Sequence, residues 1–130
     1  MISVDLARQL GQSGVLWEPT PGDRFTIDQP NVLGEVFWIS HLTIDVHTFH
    51  GTPLIGFNGT TEWALDAVTL DTALWLPRED QLRELLGDRF TALRTDDGQW
   101  LVDIVSEEGH ATFSDADAEC AYALALLSLT

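Results

Sequence analysis

Apolar residues recur every three to four positions in two parts of the chain, a spacing typical of helices that bury one face. Near the N-terminus, Ser3 can cap a helix whose buried stripe begins at Leu6. In the middle, a leucine stripe lies between Pro77, which suits a first helical position, and Gly87, which suits a helix stop. We therefore predict an N-terminal helix and a middle helix.

A third helix is predicted at the C-terminus, with a different pattern. Ser114 and Asp117 form a capping-box pattern that opens it. From Ala121 to Leu127 the residues are apolar on every side of the helix. Such a helix is either buried on most sides within its own fold or shared with another subunit. We therefore expect a homodimer through this segment as one of the two alternatives.

Strands are predicted where apolar and polar residues alternate with a period of two. Residues 41–49 alternate in this way, and residues 35–40 (EVFWIS) are aromatic and β-branched. Asn58-Gly59 and Asp96-Asp97-Gly98 are hairpin turn signals. Residues 60–67 fit a strand slightly better than a helix capped by Thr60, and both remain open. The pattern predicts a single α+β domain over residues 1–130, with antiparallel sheets of hairpins and three helices.

Charge is the most unusual overall property of the chain. It has 21 acidic side chains against six arginines, no lysine, and a formal net charge of −15. This charge repels phosphate backbones and anionic lipid headgroups, so we expect neither nucleic acid nor a membrane as partner. In one interpretation the acids keep the protein soluble, and in the other they bind a basic protein partner. The first residues lack the pattern of a secretory signal, and we expect a cytoplasmic protein.

The only histidine cluster lies in residues 41–50, and it predicts a metal site. On a strand, Asp45 and His47 are two residues apart, about 6.8 Å, and lie on the same face. They can converge on zinc or a similar divalent ion, as in a metal-binding protein or a metal-dependent hydrolase. A third ligand has to come from a neighbouring strand, and Glu62 or Asp66 is the nearest candidate. The alternative is a polar face at the edge of a sheet.

Catalytic signatures are missing from the sequence. It contains no GxxxxGK[ST], GxGxxG, GxSxG or HExxH motif, and no catalytic or cofactor-binding residue is predicted. A lone Cys120 excludes an internal disulfide. Trp17, in a proline-rich loop, is predicted to contact a partner. The leading hypothesis is therefore a non-enzymatic acidic protein that acts through protein–protein contact.

Three stretches carry a resemblance to a known group of proteins. They are GFNGTTEWALD from Gly56, ALWLPREDQLRELLG from Ala73 and DAECAYALALL from Asp117, with LWEP and PGDRF nearer the N-terminus. In these stretches the chain resembles short actinobacterial proteins, many of them labelled pilus assembly proteins of the CpaE type. The resemblance implies an uncharacterised small-protein family with a link to pilus assembly. That label belongs to a larger P-loop protein, and since this chain has no P-loop, the resemblance carries over no catalytic residue.

Overall fold

The computed structural model describes residues 1–40, 44–49, 52–57 and 68–130. Within them the chain forms three α-helices and three antiparallel sheets of three strands each, which confirms the predicted α+β class. The helices are α1 (Val4–Gln12), α2 (Glu79–Leu86) and α3 (Ala118–Ser128). The strands are β1 (Arg24–Ile27), β2 (Phe37–Trp38), β3 (Ile44–Phe49), β4 (Thr52–Phe57), β5 (Val68–Thr69), β6 (Ala73–Trp75), β7 (Phe90–Asp96), β8 (Gln99–Ser106) and β9 (Gly109–Asp115).

The chain divides into two compact units. One consists of Met1–Val15 and Leu76–Thr130, and the other is Leu16–Trp75. The first, which we call the helical unit, contains all three helices and the sheet β7-β8-β9. The second, which we call the aromatic unit, contains the sheets β2-β1-β6 and β3-β4-β5. The expectation of a single domain over the whole chain stays a prediction.

Helix α3 forms the centre of the helical unit. It packs against β8 and β9, and both α1 and α2 pack against it. Six of its residues are buried there: Cys120, Ala121, Tyr122, Ala123, Ala125 and Leu126. Its all-apolar pattern thus corresponds to burial within its own unit, the first of the two alternatives drawn from the sequence.

The start of α3 differs from the prediction. Asp117 is the N-cap residue, and its Oδ1 accepts hydrogen bonds from the backbone N–H groups of Glu119 at 2.9 Å and Cys120 at 3.2 Å. Ser114 instead lies in β9, which continues its pairing with β8 as far as Asp115. The predicted capping box was wrong because Ser114, its first residue, pairs with β8 as part of a strand.

Helix α2 begins two residues later than predicted and ends as predicted. Its N-cap is Arg78, so Pro77 precedes the cap rather than occupying the first helical position. Leu82 and Leu86 are buried, while Leu85 is 42% exposed. Gly87 has φ +57°, a backbone conformation that favours glycine and ends the helix.

The hairpin between β7 and β8 confirms its turn signal. Asp97 has φ +48° and Gly98 has φ +78°, the two positive values that a type I′ turn requires. Residues Glu107 and Glu108 turn the chain again between β8 and β9. The other turn signal, Asn58-Gly59, and the ambiguous residues 60–67 lie outside the described residues.

The aromatic unit is built around β1, all four residues of which are buried. Phe25 and Ile27 of this strand form a core with Ile39 and Ile55. Of the predicted strand over residues 35–40, only β2 forms, and β6 pairs with β1 without having been predicted. In the part of the chain that the structure describes, no helix is long and apolar enough to cross a bilayer.

Candidate interaction site

The predicted metal ligands Asp45 and His47 lie on β3, as expected for two residues of one strand. Across the ladder they pair with Gly56 and Leu54 of β4, neither of which has a side chain that can bind a metal ion. The candidate third ligands fall in residues 60–67, outside the described residues. Among the residues described, no three His, Cys, Asp or Glu side chains lie close enough to hold a metal ion. The metal site therefore stays a prediction.

Trp17 is part of the packing of the aromatic unit. Its ring stacks on Trp75, with centroids 6.4 Å apart and planes 5° apart, and lies 5.8 Å from Phe25. Its Nε1 donates a hydrogen bond of 2.9 Å to Asp23, a carboxylate that is only 1% exposed. The side chain is half-buried. Contact with a partner at Trp17 stays a prediction.

A polar cluster joins α2 to α3 in the helical unit. The hydroxyl of Tyr122 accepts hydrogen bonds from Arg83 at 3.2 Å (Nε) and 2.8 Å (Nη2), and it donates to Oε1 of Glu79 at 3.3 Å. Arg83 also lies over the ring of Phe90, 4.7 Å from its centroid. A cavity of about 410 Å³ is lined by Glu79, Asp80 and Arg83. The sequence pattern does not predict this cluster, because Tyr122 lies 39 residues from Arg83 and 43 residues from Glu79.

The electrostatics of this cluster do not suit catalysis. Burial raises the pKa of the Tyr122 phenol, and the hydrogen bond with Tyr122 raises the pKa of Arg83. Both shifts therefore stabilise the protonated forms, the neutral phenol and the charged guanidinium, that the two groups already have at pH 7. Burial likewise raises the pKa of the Cys120 thiol, which makes it a poor nucleophile.

A second polar network lies on the face of the sheet opposite Val102 and Ile104, which are buried. Asp103 accepts hydrogen bonds from Arg94 at 2.6 Å and 2.9 Å, and from Thr112 at 2.7 Å. These bonds, that of Arg94 first, lower the pKa of Asp103 to about 2. A carboxylate with so low a pKa is a poor proton acceptor at neutral pH, so the network joins the three strands rather than forming a reactive centre.

Two smaller cavities adjoin the C-terminal end of α3. They measure about 200 Å³ and 210 Å³ and share Ser106, Glu108, Ser128 and Leu129 in their linings. Arg89, which lines the first of them, has no ion-pair partner among the described side chains. Because Glu107 and Glu108 also line it, the cavity offers no clear preference for an anion or a cation.

Two tryptophans in the described residues are strongly exposed. Trp38 is 51% exposed and Trp100 is 38% exposed, whereas Trp17 and Trp75 are half-buried. The guanidinium carbon of Arg24 lies 5.8 Å from the centroid of the Trp38 ring. Trp100 is the second residue of β8, the central strand of the helical unit, and lies next to an acidic turn. Exposed aromatic residues are typical of protein interfaces, so Trp100 is a candidate contact residue that the sequence alone did not single out.

Comparison with known proteins gives no further assignment. No protein-family model matches the sequence, and neither a curated protein nor a solved structure matches the chain.

Proposed function

We propose that this chain is a non-enzymatic, acidic, cytoplasmic protein that acts by binding another protein. One observation carries the proposal. Wherever the described residues have a shifted pKa, the shift strengthens the protonation state that the group already has at pH 7. General acid–base and nucleophilic catalysis need the opposite, a group whose pKa lies close to the working pH.

The surface supports a binding role in a second way. Within each of the two polar clusters, around Tyr122 and around Asp103, the charged groups are bonded to other members of the same cluster. Their charges are therefore used inside the cluster rather than offered to a substrate. What remains exposed is an excess of carboxylates together with large apolar side chains such as Trp100 and Leu85. Acids that steer a partner and aromatic residues that anchor it are a common combination at protein interfaces.

The chain's composition allows a direct test by carbodiimide coupling, which joins carboxylates to lysine amines. The chain has 21 carboxylate side chains and no lysine, so two copies cannot be joined through their side chains. With the N-terminal amine acetylated, every adduct must contain another protein. We expect one discrete adduct in extracts of the natural host, and excess uncoupled chain should suppress it.

Two outcomes would refute the proposed function. The proposal fails if no discrete adduct forms, or if the purified protein turns over a substrate and Tyr122→Phe or Asp103→Asn abolishes that turnover. The resemblance to pilus assembly proteins adds one expectation, namely that the partner belongs to a pilus assembly system. Mass spectrometry of the adduct identifies the partner and tests this expectation separately.

A homodimer through the segment from Ala121 to Leu127 is not included in the proposal. Within this segment only Leu124 and Leu127 are half-buried, and the other residues are buried inside the helical unit. Two partly exposed leucines are far less than the roughly 1,200 Å² that a stable interface buries. The dimer stays a prediction, and sedimentation at high micromolar concentration tests it.

A further inference from the structure

The outer strand β9 has an open edge. It pairs with β8 at every residue from Gly109 to Asp115, and among the described residues no strand pairs with its other edge. In the same described part of the chain, the backbone of residues 110–114 makes no hydrogen bond outside this ladder. Because the N–H and C=O groups of an antiparallel strand point alternately to its two edges, every second residue leaves both groups available to another strand. The exposed residues of the strand are His110, Ala111, Thr112 and Ser114.

The opposite edge of the sheet, β7, is less suited to pairing. Its register with β8 shifts between Phe90 and Ala92, and it carries the charged Arg94. Bulges and charged side chains are two devices that keep an edge strand from pairing with another chain. Strand β9 has no lysine, arginine, proline or register shift. It is therefore the edge of this sheet to which a further strand can be added.

A cavity of about 210 Å³, which we call the β9 cavity, lies beside this open edge. Small-molecule sites usually measure about 300–1,000 Å³, so the β9 cavity suits a single side chain. Alternate side chains of a strand point to opposite faces, so every second side chain of an added strand would lie on the side of this cavity. Its lining includes the buried face of the sheet, the end of α3 and the turn before β9: Ile104, Ala111, Phe113, Ser128, Leu129 and Glu108.

The charges around the β9 cavity favour a basic side chain. Glu108 lines it, and α3, which the structure describes throughout, ends there with no basic residue in its last turn. The negative end of the helix dipole therefore adds to the charge of Glu108. Arg89 lines the neighbouring cavity, where Glu107 is a second carboxylate. The aliphatic stem of a lysine or arginine can lie along Ile104 and Phe113 while its charged head meets Glu108.

We propose that β9 and the β9 cavity dock an extended segment of a protein partner, which adds to the sheet as a fourth strand and places a lysine or arginine in the cavity. The inference rests on the proposed function and names how the partner is held. Main-chain hydrogen bonds along the edge provide affinity, and the cavity provides selectivity. A second copy of this chain is a poorer occupant, because two chains of net charge −15 repel each other.

The test is a titration of the full chain with the peptide Thr-Val-Thr-Lys-Thr-Val-Thr, acetylated and amidated at its ends, in which the lysine and the valines share one face. Amide hydrogen exchange followed by NMR reports on β9 directly. Every second amide of residues 110–114 should gain protection when the peptide binds. Norleucine in place of the lysine keeps the stem without the charge and should weaken binding by about two- to five-fold.

N-methylated peptides separate strand addition from general attraction to an acidic protein. One peptide carries the methyl groups on its valines and lysine, and the other carries them on its threonines, so the charge and side chains are the same. Only one of these two sets of N–H groups faces β9 in an added strand. One peptide should therefore lose binding while the other retains it.

Matched variants locate the side-chain contact. Ala111→Leu fills the β9 cavity and should weaken binding by about ten-fold, whereas Ala116→Leu adds the same side chain at an exposed position outside β9 and should not. Glu108→Gln should weaken binding by about two- to five-fold. Glu107→Gln removes the same charge from the same turn and should have the smaller effect.

Three results overturn the inference. The first is a peptide that leaves the exchange of the β9 amides unchanged, and the second is a pair of N-methylated peptides that bind equally. The third is a protein that sediments as a dimer with its β9 amides protected before peptide is added, because a second copy then occupies the edge. In each case a carbodiimide adduct with a host protein leaves the proposed function standing and rejects this surface alone. Absence of any adduct rejects the proposed function itself.

Discussion

Tyr122→Phe is the sharpest test of how the helical unit holds together. The side chain is fully buried, and its ring lies 5.7 Å from that of Phe90, a contact that phenylalanine keeps. Only the hydroxyl is lost, and with it the hydrogen bonds from Arg83 and to Glu79. The substitution therefore removes the hydroxyl's hydrogen bonds to α2 without creating a cavity larger than one oxygen atom, while the hydrogen bond of 3.1 Å from the Glu79 N–H to Glu119 of α3 stays.

The expected loss can be worked out from these contacts. A hydrogen bond to a charged group contributes about 1.5–3 kcal/mol to stability, and its removal costs most when the partner is left buried and unpaired. Here Arg83 and Glu79 are 49% and 44% exposed and stay bonded to each other at 3.3 Å, so water can replace the hydroxyl. We expect the free energy of unfolding to fall by about 1–1.5 kcal/mol. For a chain of this length that lowers Tm by about 3–6 °C.

Urea unfolding provides the assay. The midpoint should fall while the slope with denaturant stays constant, because the surface exposed on unfolding is nearly the same. A double-mutant cycle with Arg83→Gln should show a coupling of about 1 kcal/mol. An unchanged midpoint, or a cycle with no coupling, would refute the view that the hydroxyl joins the two helices.

The same variant has a pH signature. Burial raises the folded-state pKa of Tyr122 above its ordinary value of 10.0. Above pH 10 the unfolded chain loses the phenol proton before the folded protein does, so the original protein loses stability as pH rises from there. The Phe variant has no such group. The stability difference between the two proteins should therefore narrow above pH 10, and a constant difference would contradict the raised pKa.

Three further expectations concern other parts of the chain. Asp103→Asn removes a carboxylate whose pKa is lowered from 3.8 to about 2. The variant should therefore be less stable than the original protein at pH 7, and the difference should disappear as pH falls from about 4 to about 2. Urea titrations across that range measure it. Gly98→Ala should destabilise the hairpin by about 1 kcal/mol because φ is +78° there, whereas Gly11→Ala, inside α1 and free of neighbours within 4 Å, should stabilise by about 0.5–1 kcal/mol. If Asp45 and His47 hold a metal, elemental analysis should find a divalent ion that His47→Ala reduces; a metal-free protein whose Tm does not change with zinc rejects the site.

Local signals accounted for the elements that depend on a few neighbouring residues. The turn at Asp97-Gly98 was predictable because only certain residues adopt two successive positive φ values. Gly87 marked the end of α2 because a single positive φ, here +57°, is readily adopted by glycine. The start of α3 was misplaced because Ser114 satisfies a capping pattern and a strand equally well, and pairing with β8 decided between them.

For the candidate sites, too, the sequence predicted only what depends on neighbouring residues. Asp45 and His47 were chosen from their spacing on one strand, which the structure reproduces as β3. The Tyr122 cluster and the exposed end of the sheet at Trp100 were not predicted, since burial and cross-strand register cannot be read from neighbouring positions. Which face of β8 an aromatic residue occupies depends on the register of the whole sheet.

By itself, the sequence determined the class of this fold, its three helices and its excess of negative charge. Helical periodicity, turn residues and composition are local or summed properties, and they need no knowledge of distant contacts. Only the tertiary structure decided that the apolar helix α3 is buried in its own unit, that Tyr122 and Asp103 are hydrogen-bonded to arginines, and that Trp100 is exposed. These outcomes depend on which distant residues meet, because burial and pairing are set by the packing of whole elements.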